Sequence, residues 1–464
     1  MASQFLPSLS YPVTRTFPGR IFSSLAFGGA GVVLLFLTVL NAALAGYETV
    51  PSYNSNFNVT QNHWYDKFLP PAAKPKPGSL CDARLLSLGD TITTNYSMFE
   101  YSISAIDKAN TGNSGFSYEG WALDNCDMTS LFVNADANTF IIDFTAIINC
   151  KANGPQIQQG NSFDITARTD WSVSYMAGSF GSPLGAQKAL RNLQAGTFNE
   201  SIDARGAVLN TLLDASGSEF ADRTYFMLML SNRTTPQVLS FQANFPWCPP
   251  SLGRDAPCAA QVPPLNTTGI FEWLGNGTLV SNAKLTNDTI GMVWNMVQVI
   301  YAAVRLDLGN PSQNNFLLNT SVIPEAIQST FPQTYPSQGD ISLPTESYVH
   351  SALVNDEVFA NLTDDTPGLL PSLLPLSAPG PAVIDGVYLC RFQRAKSPGS
   401  AFIAVLVATL STFSAVWGIF LTLAAAFVKQ KEPMANVCEG PVSSFPVQHE
   451  KPEFVDSSYL PVRS

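Results

Sequence analysis

The sequence predicts two transmembrane α-helices flanking a β-rich α+β ectodomain whose N-terminal part is an antiparallel β-sandwich. Three observations predict it: a long uncharged stretch near each end, cysteines and N-glycosylation sequons between those stretches, and alternating apolar and polar residues after residue 80. Charged residues make up 13% of the chain, about half the ~25% of a typical soluble domain. With 24 basic and 35 acidic side chains the net charge is −11, which excludes nucleic acid as a partner held through phosphate contacts.

Residues 1–20 carry Arg15 and Arg20 and no acid, as a cytoplasmic N-tail should. Residues 21–47 are 27 uncharged residues, a helix of ~40 Å against a hydrocarbon core of ~30 Å. Ala43-Leu44-Ala45 gives this stretch a second reading, a signal peptide cut before Gly46. An uncleaved anchor is the favoured expectation. Residues 48–79 form a membrane-proximal spacer ending in Pro70-Pro-Ala-Ala-Lys-Pro-Lys-Pro77.

Residues 80–180 are β-rich. Phe163–Met176 alternates with period two, as one strand or as two with a break near Thr169-Asp170. Phe140, Ile142, Phe144, Ala146 and Ile148 make a second apolar face, and Ile92–Ile106 a third whose phase slips near Met98-Phe99, as at a bulge. An immunoglobulin domain does not fit the tryptophan and cysteine spacing.

Residues 181–366 are mixed α+β. Helices are expected at Ala186–Leu193 and Ile202–Leu213, and strands at Tyr225–Leu230 and Val238–Phe245. A longer helix is expected at Thr289–Leu306, capped by Asp288 or Thr286 and ended by Gly309. Its uncharged run of 16 residues contains Asn295 and Gln298, so it reads as a buried helix rather than a third span. Residues 367–396 read as a Pro-rich stalk or surface wrap followed by a basic collar, Arg391, Arg394 and Lys396.

Residues 397–428 are 32 uncharged residues, the second transmembrane helix, with Ala404/Ala408 among small-residue pairs that permit close helix contact. Residues 429–464 form a disordered cytoplasmic tail containing Cys438, a palmitoylation candidate, and the sorting-type run Tyr459-Leu-Pro-Val462.

The sequons stand at Asn58, Asn95, Asn199, Asn232, Asn266, Asn276, Asn287, Asn319 and Asn361, all between the two hydrophobic stretches. That placement decides for a lumenal or extracellular domain against the basic collar, which on charge alone orients the second helix the other way. Six cysteines share the domain, Cys81, Cys126, Cys150, Cys248, Cys258 and Cys390, and are disulfide candidates. The Pro-rich loop between Cys248 and Cys258 favours a local bridge; the other pairings stay open.

Chemistry is sparse. His63 and His350 are the ectodomain's histidines, no nucleophile elbow or metal-site motif occurs, and no catalytic, cofactor-binding or metal-ligating residue is assigned. Residues 47–390 carry 15 basic and 30 acidic side chains, net −15. A carboxylate-pair glycosidase is the enzymatic alternative, with Glu100, Glu119 and Asp143 as acids in or near apolar strands. The expected function is non-enzymatic: a membrane-anchored glycoprotein of the cell surface or secretory pathway, whose domain binds a protein or glycan ligand or serves structurally. A receptor-like sensor is the other alternative.

Two stretches carry a resemblance: Tyr301-Ala-Ala-Val-Arg-Leu-Asp-Leu-Gly309, and Tyr388-Leu-Cys-Arg-Phe-Gln-Arg-Ala-Lys-Ser-Pro-Gly-Ser-Ala-Phe402. They resemble uncharacterised membrane glycoproteins of mushroom-forming basidiomycete fungi, over residues 80–428. The resemblance implies the architecture and, since that group has no assigned activity, no functional residue.

Overall fold

The computed structural model describes residues 20–108, 115–139, 141–151, 163–174, 200–231, 234–253, 256–332, 345–354, 369–378 and 380–431. The expected helix at Ala186–Leu193, the sequons Asn199, Asn232 and Asn361, Cys438 and the tail's sorting-type run lie outside the described residues. The main helices are α1 (Arg20–Ala45), α2 (Glu200–Leu230), α3 (Asn287–Asp307), α4 (Tyr348–Val354) and α5 (Pro398–Lys431). The strands are β1 (Tyr47–Asn54), β2 (Arg84–Ser87), β3 (Thr91–Thr93), β4 (Glu100–Lys108), β5 (Gly115–Tyr118) and β6 (Cys126–Asp136). After them come β7 (Ile141–Lys151), β8 (Phe163–Ser174), β9 (Pro236–Asn244), β10 (Thr267–Leu274), β11 (Leu279–Ser281) and β12 (Tyr388–Ala395).

Two units result, one comprising the chain up to Val50, His63–Phe68 and the chain from Phe392, the other Pro51–Asn62 and Leu69–Arg391. In the first, α1 and α5 run antiparallel. Asn41 donates from Nδ2 to Thr409 Oγ1 at 3.2 Å and Thr412 Oγ1 at 3.3 Å, and Phe27 meets Trp417 further along, at 6.4 Å between ring centroids. Ala404 and Ala408 are partly covered while Ile403 and Val407 stay exposed; the other small-residue pairs, Ser411/Ala415 and Ser414/Gly418, are exposed. At one end Lys396 closes the pair, its N–H to Gly46 O at 3.0 Å and its Nζ to Ala45 O at 2.9 Å. The expected spacer contributes here as well: β1 pairs with β12, and His63 stacks on Tyr65 at 5.1 Å.

The second unit is built on one eight-stranded antiparallel sheet, order β11-β10-β9-β6-β7-β8-β4-β3, with the separate ribbon β2-β5. This replaces the expected sandwich. Phe140 lies outside the described residues, but from Ile142 on the alternation in β7 is as read: Ile142, Phe144, Ala146 and Ile148 are buried while Asp143 is exposed. What covers that face is helical. α2 and α3 pack on each other, α2 against β9 and α3 against β6. Because β9, β10 and β11 join the same sheet as β3 to β8, the boundary expected at residue 180 does not separate two subdomains.

Two further local readings are corrected and one open alternative is decided. The phase slip near Met98 is a hairpin loop between β3 and β4, Thr93 pairing with Glu100; the bulge comes later, between Ile103 and Ala105. Phe163–Ser174 is one unbroken strand. Tyr225–Leu230, expected as a strand, is the end of α2. Residues 207–209 and 211–224 of that helix are buried nearly all round, so no 3.6-residue apolar stripe marks it.

α3 agrees with the sequence. Thr286 precedes it, with Thr286 N–H donating to Thr289 Oγ1 at 3.0 Å. Gly309 ends it at φ +69°, with Gly309 N–H to Leu306 O at 2.9 Å and Asn310 N–H to Arg305 O at 2.9 Å, a Schellman closure. Residues 380–385, expected as part of a stalk, instead lie against the core: Ala382 and Ile384 are buried and Ala382 N–H reaches Leu308 O at 3.0 Å. The wrap reading holds and the stalk reading does not. Phe57, from the expected spacer, is likewise buried, against Tyr388 at 5.2 Å.

The six cysteines pair as Cys81–Cys390, Cys126–Cys150 and Cys248–Cys258. The last is the local bridge; Cys126 and Cys150 are direct partners across β6 and β7. Cys81–Cys390 closes a sequence separation of 309 residues, Cys248–Cys258 one of 10. Serine replacement of the first pair should therefore cost roughly 5 kcal/mol and of the second roughly 3 kcal/mol, since loop-closure entropy grows with length. Urea unfolding of the full chain in detergent micelles measures both, and equal losses would contradict this ordering.

Candidate functional site

A cleft of about 370 Å³ opens in the second unit between α3, the segment 324–330 and α4. Trp294, Glu325, Ile327, Gln328, Thr330 and His350 line it. Trp294 is fixed at its edge, Nε1 donating to Ala326 O at 2.6 Å. Gly291, one turn earlier, admits Phe331 against α3: a Cβ there would sit 2.5 Å from the Phe331 ring.

Behind the cleft lies a buried polar cluster. Glu219 of α2 is 3% exposed; its Oε2 accepts Ser347 Oγ–H at 2.6 Å and its Oε1 accepts Asn295 Nδ2–H at 3.2 Å. Asn295 also donates to Ser347 Oγ at 2.9 Å and to Gln328 O at 3.1 Å, while its Oδ1 accepts Gln328 N–H at 2.8 Å. His350 N–H donates to the same Ser347 Oγ at 3.1 Å. The cluster therefore fixes both the segment and the helix that form the cleft walls. Burial pushes the Glu219 carboxyl up to about 7, against the opposing effect of the hydrogen bonds from Ser347 and Asn295. Next to it on α2, Asp222 Oδ2 accepts Tyr348 O–H at 3.0 Å, and Arg223 donates from Nε to Asp288 O at 3.0 Å and from Nη2 to Pro332 O at 2.8 Å. Burial raises the Asp222 carboxyl and lowers the Arg223 guanidinium.

Chemically the lining offers an indole, an imidazole, amide and hydroxyl groups and one carboxylate, Glu325. Such a set suits a neutral, hydrogen-bonding ligand with an apolar face. Among the described residues no three His, Cys, Asp or Glu side chains are grouped as metal ligands.

The residues singled out from sequence are scattered. His350 is in the cleft wall, whereas His63 stacks on Tyr65 in the first unit. Glu100 and Asp143 are exposed and Glu119 is half-buried; none of the three lines the cleft. Of the sequon asparagines, Asn58, Asn95, Asn266, Asn276 and Asn287 are exposed and Asn319 is half-buried, with Nδ2 donating to Gln313 O at 3.0 Å. The buried acids Glu219, Asp222, Asp127 and Asp307 escaped sequence reading. An asparagine inside an apolar helical run, as Asn295 is, signals that a buried polar partner exists without saying which.

Glu219 predicts a pH dependence. Its folded-state pKa lies above the unfolded value of 4.5, so the native state binds the extra proton and stability falls as pH rises from about 4.5 through about 7. The full contribution is present below the lower value and amounts to about 3 kcal/mol. Stability of the full chain in micelles, measured between pH 4.5 and 8, should fall less steeply for E219Q than for the natural protein; parallel profiles would refute this assignment.

The chain matches no protein-family model, no curated protein sequence and no solved structure.

Proposed function

We propose that the chain is a two-span membrane glycoprotein whose residues between α1 and α5 form a lumenal or extracellular binding domain, with both tails cytoplasmic. The ligand site is the cleft beside Trp294 and His350, and its ligand is a neutral, polar molecule of the saccharide type. One observation carries the membrane reading. Ser24–Ala45 and Pro398–Phe427 are apolar along lengths that cross a bilayer and only 6% buried, whereas the third long apolar helix, Asn287–Asp307, is 89% buried. The Asn41 bonds to Thr409 and Thr412 support retention of α1 as an anchor, since signal cleavage would remove the amide that meets the buried Thr409 hydroxyl. Three cysteine pairs and five exposed sequon asparagines support an oxidising lumen.

The cleft is read as a binding site rather than that of a carboxylate-pair glycosidase, which uses two acids facing the substrate, since Glu325 is the carboxylate in the lining. Two measurements test the proposal. Glycosidase treatment of the protein from a eukaryotic host should increase gel mobility, and mass spectrometry should find peptides N-terminal to Gly46 in the mature chain. An unshifted band would overturn the lumenal assignment, and a start at Gly46 would overturn the anchor. On a glycan array W294A should lose up to about tenfold in binding, the ~0.5–1.5 kcal/mol of a stacking aromatic; unchanged binding would remove the cleft from the proposal.

A further inference from the structure

The β10–β11 hairpin ends the large sheet and carries a sequon in its turn. β11 is a three-residue edge strand, and Trp273 pairs with Leu279 across the hairpin. Both side chains are 48% exposed, and Phe271, two residues back on β10, is 45% exposed. An exposed apolar cluster on a sheet edge invites pairing with another chain unless something covers it. The core-facing residues of the same strand, Ile270 and Glu272, are buried, so the outward exposure is set by register rather than by fraying.

The turn itself is well fixed. Leu274 N–H donates to Thr278 O at 2.9 Å, Gly277 N–H to Leu274 O at 2.9 Å, and Gly275 N–H to Thr235 O at 3.1 Å. Gly277 takes φ +83°, as the tight reversal requires. Asn276 is exposed at the tip and its Oδ1 accepts Thr278 N–H at 3.0 Å, which leaves Nδ2 as the end open to reaction. Thr278, the sequon's hydroxyl residue, is exposed too. Trp273 stands three residues before the acceptor on the strand that leads into the turn.

We infer that an N-linked glycan on Asn276 folds back on this hairpin, its first sugar lying over Trp273 and Leu279 as the cover of the sheet edge. Attachment replaces one Nδ2–H of Asn276 by a bond to the sugar's anomeric carbon. The diphosphate of a lipid-linked glycosyl donor leaves as that bond forms, and the amide proton passes to a base. A pyranose suits the patch because one face presents C–H groups to the indole while its hydroxyls stay in water. A protein partner would have to bring its own apolar surface to each exposed edge; the glycan is tethered at the turn and needs no encounter. The inference rests on the lumenal reading above, and adds to it a structural role for one sequon among the nine.

Glycopeptide mass spectrometry and thermal melts of the full chain from a eukaryotic host, in micelles, test it. Asn276 should be occupied. N276Q and T278A should each lower Tm by about 2 °C or more. W273S should lower it in the glycosylated protein and add little in the N276Q background, and trimming each glycan to its first sugar should keep the stabilisation. Empty Asn276 beside occupied Asn58 and Asn266 would overturn this inference and leave the lumenal reading standing; sequons empty throughout would overturn both. Additive effects of W273S and N276Q, or loss of the stabilisation on trimming, would overturn the stacking.

Discussion

The ion pair between Arg305 and Asp127 is the interaction on which the arrangement of the second unit depends. Arg305 Nε lies 3.2 Å from Asp127 Oδ1, with the two side chains 1% and 0% exposed. Removing two charges from water costs several kcal/mol each, so such a pair persists only where the remaining donors and acceptors are also met. Here they are. Arg305 Nη1 donates to Asn314 Oδ1 at 3.0 Å, and Nη2 to Ser312 Oγ at 2.8 Å and Cys248 O at 3.1 Å. Asp127 accepts Met128 N–H at 2.9 Å and Cys248 N–H at 2.8 Å. A central strand, the disulfide loop after β9, helix α3 and the turn beyond it therefore converge on one guanidinium. Burial still outweighs Arg305 and raises the Asp127 carboxyl to about 6, so the pair fixes geometry more than it adds stability.

From that point the end of α3 organises its surroundings. Asp307 accepts Thr94 O–H at 2.8 Å, Met98 N–H at 2.9 Å and Tyr101 O–H at 2.7 Å, which shapes the β3–β4 loop. Gly309 lies so near the chain at 380–382 that a Cβ would stand 2.2 Å from Gly380 O. Its positive φ and its lack of a side chain are thus both required. Tyr301 stacks on Phe245 of the loop after β9 at 4.3 Å. The run Tyr301–Gly309, distinctive in the sequence, is distinctive because its charged residues, Arg305 and Asp307, are bonded in the interior while Tyr301 packs there through its ring. Motif-like density there reflects packing, and the cleft lies on other residues.

How much of this was legible follows from which signals are local. Strand β7 could be read because one face is buried and the other wet, and α3 because its start and end have capping residues. The covering of the sheet could not: alternation says that a face is buried, not whether a second sheet or a helix buries it. α2 was cut short for a related reason, since a helix buried on all sides loses its stripe and its aromatic end imitates a strand. Prolines at 367–381 fix φ without fixing distance from the core, so a wrap and a stalk look alike. The Cys248–Cys258 bridge was readable from its short loop, but Cys126–Cys150 depends on the register of β6 against β7. Sequons are local and were found. The cleft joins Trp294 to His350 through a cluster drawn from three helices, and no spacing announces it.

The three long apolar helices show why length and hydropathy alone do not identify a span. Asn287–Asp307 meets both criteria, yet its polar residues have partners inside the folded unit. Asn295 is bonded to Glu219, Ser347 and Gln328, and Gln298 Nε2 donates to Pro263 O at 3.2 Å. In lipid each of those groups would lose its partner at a cost of several kcal/mol. α1 has the opposite bookkeeping: its buried amide, Asn41, is met by two threonines of α5, the other apolar helix. Thr409 is itself buried on the contact face, while Thr412 also bonds back to Ala408 O at 2.8 Å. A hydrogen bond of this kind contributes only about 0.6 kcal/mol on average within a bilayer, but it fixes register and rotation, which apolar surfaces leave free. A helix whose polar groups are met by a folded core belongs to that core; helices whose polar groups are met by each other suit a medium that offers none.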